Sequence, residues 1–146
     1  MTTIAWDGQT LAADRRVNAD GALYRHMVKI HTVAGGHIAC CGDVGQIHKF
    51  VKWYRGGRKD EAPELDNCGA IAIVRGAIAL WDGDAEMPCE WGEKLAIGSG
   101  TTWALAAMDF GKTAAEAVEY ASTRDNATGS VIDSIQPARH KSARKG

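Results

Sequence analysis

TTIAWDGQTLAAD, residues 2–14, predicts a β-hairpin at the start of the chain. Two apolar runs flank the dipeptide Asp7-Gly8, and an Asp-Gly pair in that setting is a strong signal for a two-residue type I′ turn. This turn pairs Ile4 with Leu11, and the same register continues until Asp14 lies beside the start of the chain. The hairpin therefore predicts a carboxylate next to the first residues.

The rest of the chain alternates further hairpins with three helical patterns. A second hairpin around Gly35-Gly36 places Lys29 opposite Cys41 or Gly42, and a third is expected around Arg75-Gly76. Caps and apolar periodicity predict helices over residues 44–55, 101–110 and 114–123, short strands over 94–97 and 131–135, and a loop over 15–25. Because hairpins dominate, the sheets should be mostly antiparallel and covered by helices, which is an α+β layered architecture.

Length and composition indicate one globular domain. The chain has 146 residues, of which 45% are hydrophobic and 24% charged, and both proportions are ordinary for a soluble domain. Residues 1–135 are expected to form this domain, and residues 136–146 a basic, flexible tail. The apolar runs are too short to cross a membrane and the chain start lacks a secretory signal, so a cytoplasmic protein without membrane contact is expected.

Charge and cysteine spacing argue against nucleic-acid, metal and disulfide sites. The formal net charge is −1, so the chain as a whole lacks the basic surface of a nucleic-acid binder. Nucleic-acid binding by the tail is kept as an alternative, although a solvated tail is the simpler interpretation. The tail cations are Arg139, His140, Lys141, Arg144 and Lys145. The four cysteines have no C-x-x-C spacing and are interpreted as buried free thiols.

Gly98-Ser99-Gly100 lies between a predicted strand and a predicted helix, where a phosphate-binding loop is one interpretation. The dinucleotide fingerprint is incomplete, however, because Trp103 occupies the position of its third glycine. A tight strand-to-helix turn is favoured instead, and no cofactor is expected.

Asp14, Lys29 and the start of the chain form the most specific group of candidate residues. Asp14 and Lys29 alone are best explained as an ordinary ion pair. Thr2 changes that interpretation, because removal of Met1 would give it a free α-amine beside its own hydroxyl. An α-amine has an ordinary pKa of about 7.7–8.0, which suits a general base at neutral pH.

Six short segments, taken in order along the chain, resemble one known family. They are Thr2-Thr3-Ile4, Asp14-Arg15-Arg16-Val17, Lys29-Ile30, Ile38–Asp43, Ile97–Gly100 and Arg124–Gly129. In these segments the chain is similar to the proteasome β-subunits and the HslV-type bacterial peptidases, which are N-terminal nucleophile hydrolases. The resemblance runs from Thr2 to about Ile135 and implies a four-layer αββα sandwich of two mostly antiparallel sheets.

The resemblance also implies a role for each matching position. Thr2 is the nucleophile, and its own α-amine accepts the hydroxyl proton directly or through a water. Lys29 lowers the pKa of that amine and favours the alkoxide, while Asp14 holds Lys29 in place. A polar shell around the amine and a main-chain N–H for the oxyanion complete the site. The shell is assigned to Ser99, Asp125 and Thr128, and the N–H to the neighbourhood of Ala39.

Taken as a whole, the resemblance implies a threonine endopeptidase that cleaves peptides or unfolded proteins within a homo-oligomeric ring. An ATPase unfoldase is a partner that the resemblance leaves open. Three features depart from the family pattern. Ala39 stands where Gly is usual, Thr128 stands where Ser is commoner, and the short segment 58–67 leaves no room for the family's second helix.

Two other functions remain open alongside this expectation. The first is a catalytically inactive ring or scaffold protein with the same fold, because a fold does not fix a function. The second is an N-terminal nucleophile amidase that acts on a small molecule. The occupied motif positions favour the peptidase.

Overall fold

The computed structural model describes residues 2–19 and 21–138, and within them the chain forms eleven strands and three helices. The strands are β1 (Thr3–Trp6), β2 (Leu11–Asp14), β3 (Val17–Ala19), β4 (Ala22–Tyr24), β5 (Ile30–Val33), β6 (Gly36–Gly42), β7 (Cys68–Val74), β8 (Ala77–Asp82), β9 (Ala85–Cys89), β10 (Leu95–Gly98) and β11 (Ile132–Ile135). The helices are α1 (Val44–Arg55), α2 (Thr101–Asp109) and α3 (Ala114–Arg124). The predicted α+β class is confirmed.

Two antiparallel sheets form the centre of the molecule. The first has the strand order β10-β1-β2-β11, and the second has the order β5-β6-β7-β8-β9. A separate two-stranded ribbon pairs β3 with β4. Because β1 is an inner strand of the first sheet and β6 an inner strand of the second, the start of the chain and the end of β6 can form opposite walls of one site.

Side-chain alternation along the strands explains the layers. Ile4 and Trp6 of β1 point toward the second sheet and pack with Ile71 of β7, whereas Ala5 points to the other face, where Val118 of α3 lies. On the outer face of the second sheet, buried residues of α1 such as Phe50 pack on β6 and β7. The result is the predicted αββα sandwich, with one helix on one side and two on the other.

Local signals in the sequence account for the helix boundaries. The Asp43 side chain accepts a hydrogen bond from the N–H of Gln46 and so caps α1, as expected. Thr113 and Glu116 form the predicted capping box at the start of α3. No helix lies between α1 and β7, so the helical content is shortened in the way that segment 58–67 predicted.

The register predicted for the first hairpin is wrong by two residues. Ile4 pairs with Ala13 and not with Leu11. The connection is a four-residue turn in which the Asp7 carboxylate accepts hydrogen bonds from the N–H groups of Gln9 and Thr10, at 2.8 and 2.7 Å. This local hydrogen bonding by the Asp side chain competes successfully with the two-residue turn.

Three further expectations need correction. Lys29 lies opposite Cys40, whose N–H donates to the Lys29 carbonyl at 3.1 Å, and so neither Cys41 nor Gly42 is its partner. Much of the expected loop 15–25 is the β3–β4 ribbon, and β9 follows β8 where no strand was expected.

Within the described residues no helix is both long and apolar enough to span a membrane. The tail cations from Arg139 onward lie outside the described residues.

Candidate active site

Thr2 is held at the start of β1 by the turn that connects β10 to α2. Gly98 adopts a φ of +98°, and a Cβ at this position would collide with the Thr2 carbonyl oxygen. The N–H of Gly100 donates to that same oxygen at 3.3 Å. The glycines of this turn therefore serve close packing around Thr2, as the turn interpretation predicted.

The Asp14 carboxylate is fully buried at the end of β2. Its two oxygens accept hydrogen bonds from side chains and backbone groups that come from four separate parts of the chain. The donors are Thr2 Oγ1, Thr3 N at 3.0 Å, Arg16 N at 3.1 Å, Lys29 Nζ at 2.8 Å and Gly129 N at 2.8 Å. A buried charge with this many donors is well compensated.

Lys29, which directly precedes β5 of the second sheet, approaches the same group. Its side chain is 6% exposed, and its Nζ donates to Thr2 Oγ1, to Asp14 Oδ1 and to the carbonyl of Arg16 at 2.7 Å. Burial lowers the pKa of Lys29 below its ordinary value, and the attraction of Asp14 only partly offsets that effect. The Thr2 hydroxyl thus lies in contact with both an ammonium and a carboxylate.

A second polar cluster lies beside Thr2 and Thr3. Asp125 accepts hydrogen bonds from Ser99 Oγ at 2.5 Å and from Thr128 Oγ1 at 2.6 Å. The Thr128 hydroxyl also contacts that of Thr3 at 2.7 Å, and the Ser99 hydroxyl lies 3.4 Å from the Thr2 carbonyl oxygen. The structure therefore brings Ser99, Asp125 and Thr128 together along the backbone of residues 2 and 3.

The hydrogen bonds to Asp125 determine its acidity. Partial burial raises the pKa of the Asp125 carboxyl, but hydrogen bonds from Ser99, Thr128 and the N–H of Ala127 outweigh it and hold the pKa below its ordinary value. Asp125 is therefore an acceptor, and the two hydroxyls that donate to it can themselves accept a hydrogen bond, as Thr128 does from the Thr3 hydroxyl.

Ala39 lies in the interior of β6. It is fully buried and is paired with Ile30 on one side and Ile71 on the other. The part of β6 that borders the open space beside Thr2 is its carboxyl end, Cys40 to Gly42. Backbone groups near Ala39 thus approach the site through the last three residues of the strand.

Two cavities meet at Thr2. The first, named here the α1 cavity, has a volume of about 620 Å³ and is lined by Thr2, Lys29, His31, Val51 and Arg55 among others. The second, named here the β8 cavity, has a volume of about 470 Å³ and is lined by Thr2, Asp66, Trp81, Asp82 and Ile97 among others. Cys41, Gly42 and Asn67 border both. An extended substrate could occupy both cavities with its reacting bond at the Thr2 hydroxyl.

The described residues offer neither a cluster of metal ligands nor an activated cysteine thiol. Within residues 2–19 and 21–138, no group of three or more His, Cys, Asp or Glu is arranged to hold a metal ion. All four cysteines are free thiols, as predicted, but only Cys40 and Cys68 are buried while the other two are partly exposed. Burial raises the pKa of Cys40 and Cys41, which disfavours the nucleophilic thiolate.

Several backbone groups of the site could not be identified individually from the sequence. The Arg16 carbonyl binds Lys29, while the N–H groups of Arg16 and Gly129 bind Asp14. Both residues lie inside the motif segments, so the segments were the available signal. Backbone donors carry no side-chain signature, and only the fold reveals their direction.

No protein-family model and no curated protein matches the sequence. Solved structures do match the fold. BPH of Thiobacillus denitrificans in complex with epoxomicin gives a TM-score of 0.71 at 14% identity, over 94% of this chain and 98% of that chain. A second structure of BPH from the same organism gives a TM-score of 0.66 at 16% identity, over 94% of this chain and 97% of that chain. HslV of Trypanosoma brucei gives a TM-score of 0.61 at 20% identity, over 92% of this chain and 97% of that chain.

Proposed function

The chain has the HslV and proteasome-type fold, and from that premise we propose that it is a threonine endopeptidase with Thr2 as its nucleophile. The observation that carries the proposal is the position of the Thr2 hydroxyl. It is buried, it contacts both Lys29 Nζ and Asp14 Oδ1, and it lies where two cavities meet. A structural threonine needs neither an ammonium nor an open cavity at its hydroxyl.

The first chemical step is attack on the scissile carbonyl carbon. When Thr2 is the first residue, its free α-amine takes the proton from Oγ1 as the new C–O bond forms. The Lys29 ammonium lowers the pKa of that amine through like-charge repulsion and stabilises the developing alkoxide. Asp14 keeps Lys29 in place, so the ammonium stays at the hydroxyl without needing to move.

The second step completes the cleavage. The oxyanion is stabilised by main-chain N–H groups at the end of β6 near Ala39. The Thr2 ammonium then gives its proton to the departing amine, and the C–N bond breaks to leave an ester on Oγ1. Water, activated by the same α-amine, hydrolyses the ester and releases the acid product. Each proton taken by the amine is returned, so the enzyme is regenerated.

Ser99, Asp125 and Thr128 would orient the α-amine during these proton transfers. Asp125 binds both hydroxyls through one oxygen, which fixes the direction in which their lone pairs point. An ammonium that forms on Thr2 would find hydroxyl acceptors and a carboxylate close by. This support matters most in the step in which the amine carries the extra proton.

We also propose that the peptidase works as a homo-oligomeric ring acting on peptides or unfolded proteins. Met87 is 42% exposed on β9, an edge strand of the five-stranded sheet. Exposed apolar side chains next to an unpaired strand edge favour contact with another copy of the chain. An ATPase partner remains a separate proposal, since segment 58–67, as predicted, does not contain the family's second helix.

The decisive experiment compares two N-termini of the same chain. A cleavable fusion is removed once to expose Thr2 and once to leave a single extra residue before it, and intact mass verifies both products. Only the chain that begins at Thr2 is expected to hydrolyse peptides. Thr2→Ser, which keeps the hydroxyl, should retain activity, whereas Thr2→Ala should have none. Equal activity of the two N-termini, or inactivity of both, would exclude this mechanism, and the second result favours the inactive scaffold.

A further inference from the structure

The two cavities beside Thr2 carry opposite charge. Among the described residues, Lys29, His31, His48 and Arg55 line the α1 cavity, together with the single carboxylate of Asp43. The β8 cavity is bordered by Asp66 and Asp82, and no described Lys, Arg or His lines it. A substrate that spans both cavities therefore meets a basic environment on one side of Thr2 and an acidic one on the other.

Most charged groups of the α1 cavity already have partners. Asp43 accepts the hydrogen bond from Gln46 N at 2.9 Å as the cap of α1, and Lys29 is bound to Asp14. Arg55 differs from these groups. Its Nε donates to the Thr32 carbonyl at 3.1 Å, but the guanidinium forms no ion pair with any carboxylate in the part of the chain that the structure describes.

His31 adds a second donor next to Arg55. Burial lowers the pKa of His31, and the charge of Arg55 lowers it further. A neutral imidazole beside an unpaired guanidinium is an arrangement that a bound anion would stabilise. The anion would pair with Arg55, and the like-charge effect on His31 would be relieved.

The cavity wall restricts which anion fits. Ile47 and Val51 lie on the same face of α1 as Arg55 and line the same cavity as Thr2 and Arg55. Apolar walls leading to a cation suit a carboxylate on a short hydrocarbon stem. Aspartate and glutamate side chains have this form, whereas a free inorganic anion would leave the apolar walls without a contact.

We propose that the α1 cavity binds an acidic side chain next to the scissile bond, with Arg55 as the residue that determines this specificity. The inference rests on the proposed peptidase function and deepens it by naming the substrate class. It predicts peptides with Glu or Asp at one of the two positions that flank the cleaved bond.

The test uses matched peptides that carry Glu, Gln or Lys at each flanking position in turn, with cleavage sites read by mass spectrometry. The wild-type chain starting at Thr2 should favour Glu over Gln by about tenfold at one position, the size expected for a good charged hydrogen bond. Arg55→Gln should abolish that preference, and Arg55→Glu should transfer it to Lys. Equal rates for Glu and Gln in the wild type would overturn the proposal.

Lys49→Glu is the matched control, because it makes the same charge reversal on an exposed residue of α1 that does not line the cavity. It should leave the Glu preference unchanged. If Lys49→Glu and Arg55→Glu shift the preference equally, the effect is the general charge of the protein and the specific role of Arg55 is wrong.

A binding measurement separates this inference from the peptidase itself. Fluorescence anisotropy with the labelled Glu and Gln peptides is measured on Thr2→Ala, with and without Arg55→Gln. Preferential Glu binding that depends on Arg55, in a chain with no hydrolysis at either N-terminus, would support the acidic subsite and reject the peptidase. Hydrolysis without any Glu preference would support the peptidase and reject the acidic subsite. If neither hydrolysis nor a Glu preference is found, both proposals are overturned.

Discussion

Lys29 Nζ lies 2.8 Å from Asp14 Oδ1, and the two side chains are 6% and 0% exposed. A buried ion pair of this kind stabilises a protein little by itself, but removing one partner leaves the other charge without compensation. Here Asp14 keeps the N–H groups of Thr3, Arg16 and Gly129 whatever happens to Lys29. The pair is thus asymmetric, because the carboxylate can survive the loss of the ammonium better than the reverse.

Lys29→Ala should remove activity while the chain still folds. Breaking a buried ion pair costs about 3–5 kcal/mol, and the backbone donors to Asp14 should keep the loss of unfolding free energy at or below the lower end. Peptide hydrolysis should fall at least roughly 100-fold, because the α-amine loses the charge that tunes it. Both quantities are measured on the same preparation, by thermal unfolding and by peptide turnover.

Lys94→Ala is the control for that experiment. Lys94 is exposed, donates to the Met108 carbonyl at 2.9 Å and precedes β10 at the end of that strand remote from Gly98, so its loss should lower stability slightly and leave turnover intact. Residual activity of Lys29→Ala that merely follows the folded fraction would contradict a catalytic role and favour the inactive scaffold. Asp14→Asn should lower both stability and activity, since Lys29 then loses its counter-charge.

Substitutions in the turn before α2 should damage the site through the backbone. The Cβ of Gly100→Ala would collide with Thr3 Oγ1, and that of Gly98→Ala with the Thr2 carbonyl. Such overpacking costs about 1–3 kcal/mol, and displacement of residues 2 and 3 should reduce turnover more than stability. Gly92→Ala meets no atom within 4 Å and serves as control. Full activity of Gly100→Ala would show that the turn does not position Thr2.

Thr128 stands where serine is commoner in the family that the chain resembles, but it keeps the hydroxyl. Thr128→Ser should therefore preserve the bonds to Asp125 and Thr3 and retain most of the activity. Thr128→Val has nearly the same shape without the hydroxyl and takes this partner away from the buried Thr3 hydroxyl, at a cost of about 1–3 kcal/mol. Chemical denaturation and turnover of the two variants give the comparison. Equal stability and turnover of Thr128→Ser and Thr128→Val would mean that the residue 128 side chain contributes only packing and that its hydrogen bonds do not matter.

The lowered pKa of Asp125 makes part of the stability pH-dependent. A carboxyl whose pKa in the folded state lies below the ordinary 3.8 stabilises the fold above that pH, and the contribution is lost as the pH falls through the folded-state pKa. The difference in unfolding free energy between wild type and Asp125→Asn should be present at pH 7 and shrink below about pH 4. A difference that is constant from pH 7 to pH 3 would rule out this origin.

Assembly gives the last prediction. Sedimentation velocity at micromolar concentrations should detect species larger than the 15.6 kDa chain. Met87→Lys places a charge on the exposed edge strand β9 and should shift the distribution toward the single chain, without changing the thermal midpoint by much. A wild-type protein that sediments only as 15.6 kDa would reject the ring.

Local signals predicted the helices and the turn at Gly98 to Gly100, because caps and close backbone approach depend on neighbouring residues. They also placed Asp14 near the start of the chain, although by the wrong register. Hydrogen bonds to the Asp7 carboxylate stabilise a four-residue turn. Nothing in the dipeptide Asp7-Gly8 distinguishes that turn from the two-residue turn that was predicted. Asp82-Gly83 is the same signal, and it lies at the β8–β9 hairpin, which was not expected.

The candidate site was predictable as a set of side chains but not as a cavity. The motif segments named Thr2, Asp14 and Lys29, which the structure brings into contact. The position of Arg55 at the far end of α1 could not be inferred, because it depends on how the helix lies over β5 and β6. Helix packing angles follow from the whole interface and not from local sequence.

The hydrogen bond from Gly129 N to Asp14 joins positions 115 residues apart. Because Asp14 is synthesised 115 residues before Gly129, its surroundings stay incomplete until residue 129 has been added and has folded back. Contacts of such long sequence separation also form late in folding. The proposed nucleophile Thr2 therefore has its complete surroundings only after residues 125–129 have folded onto the start of the chain.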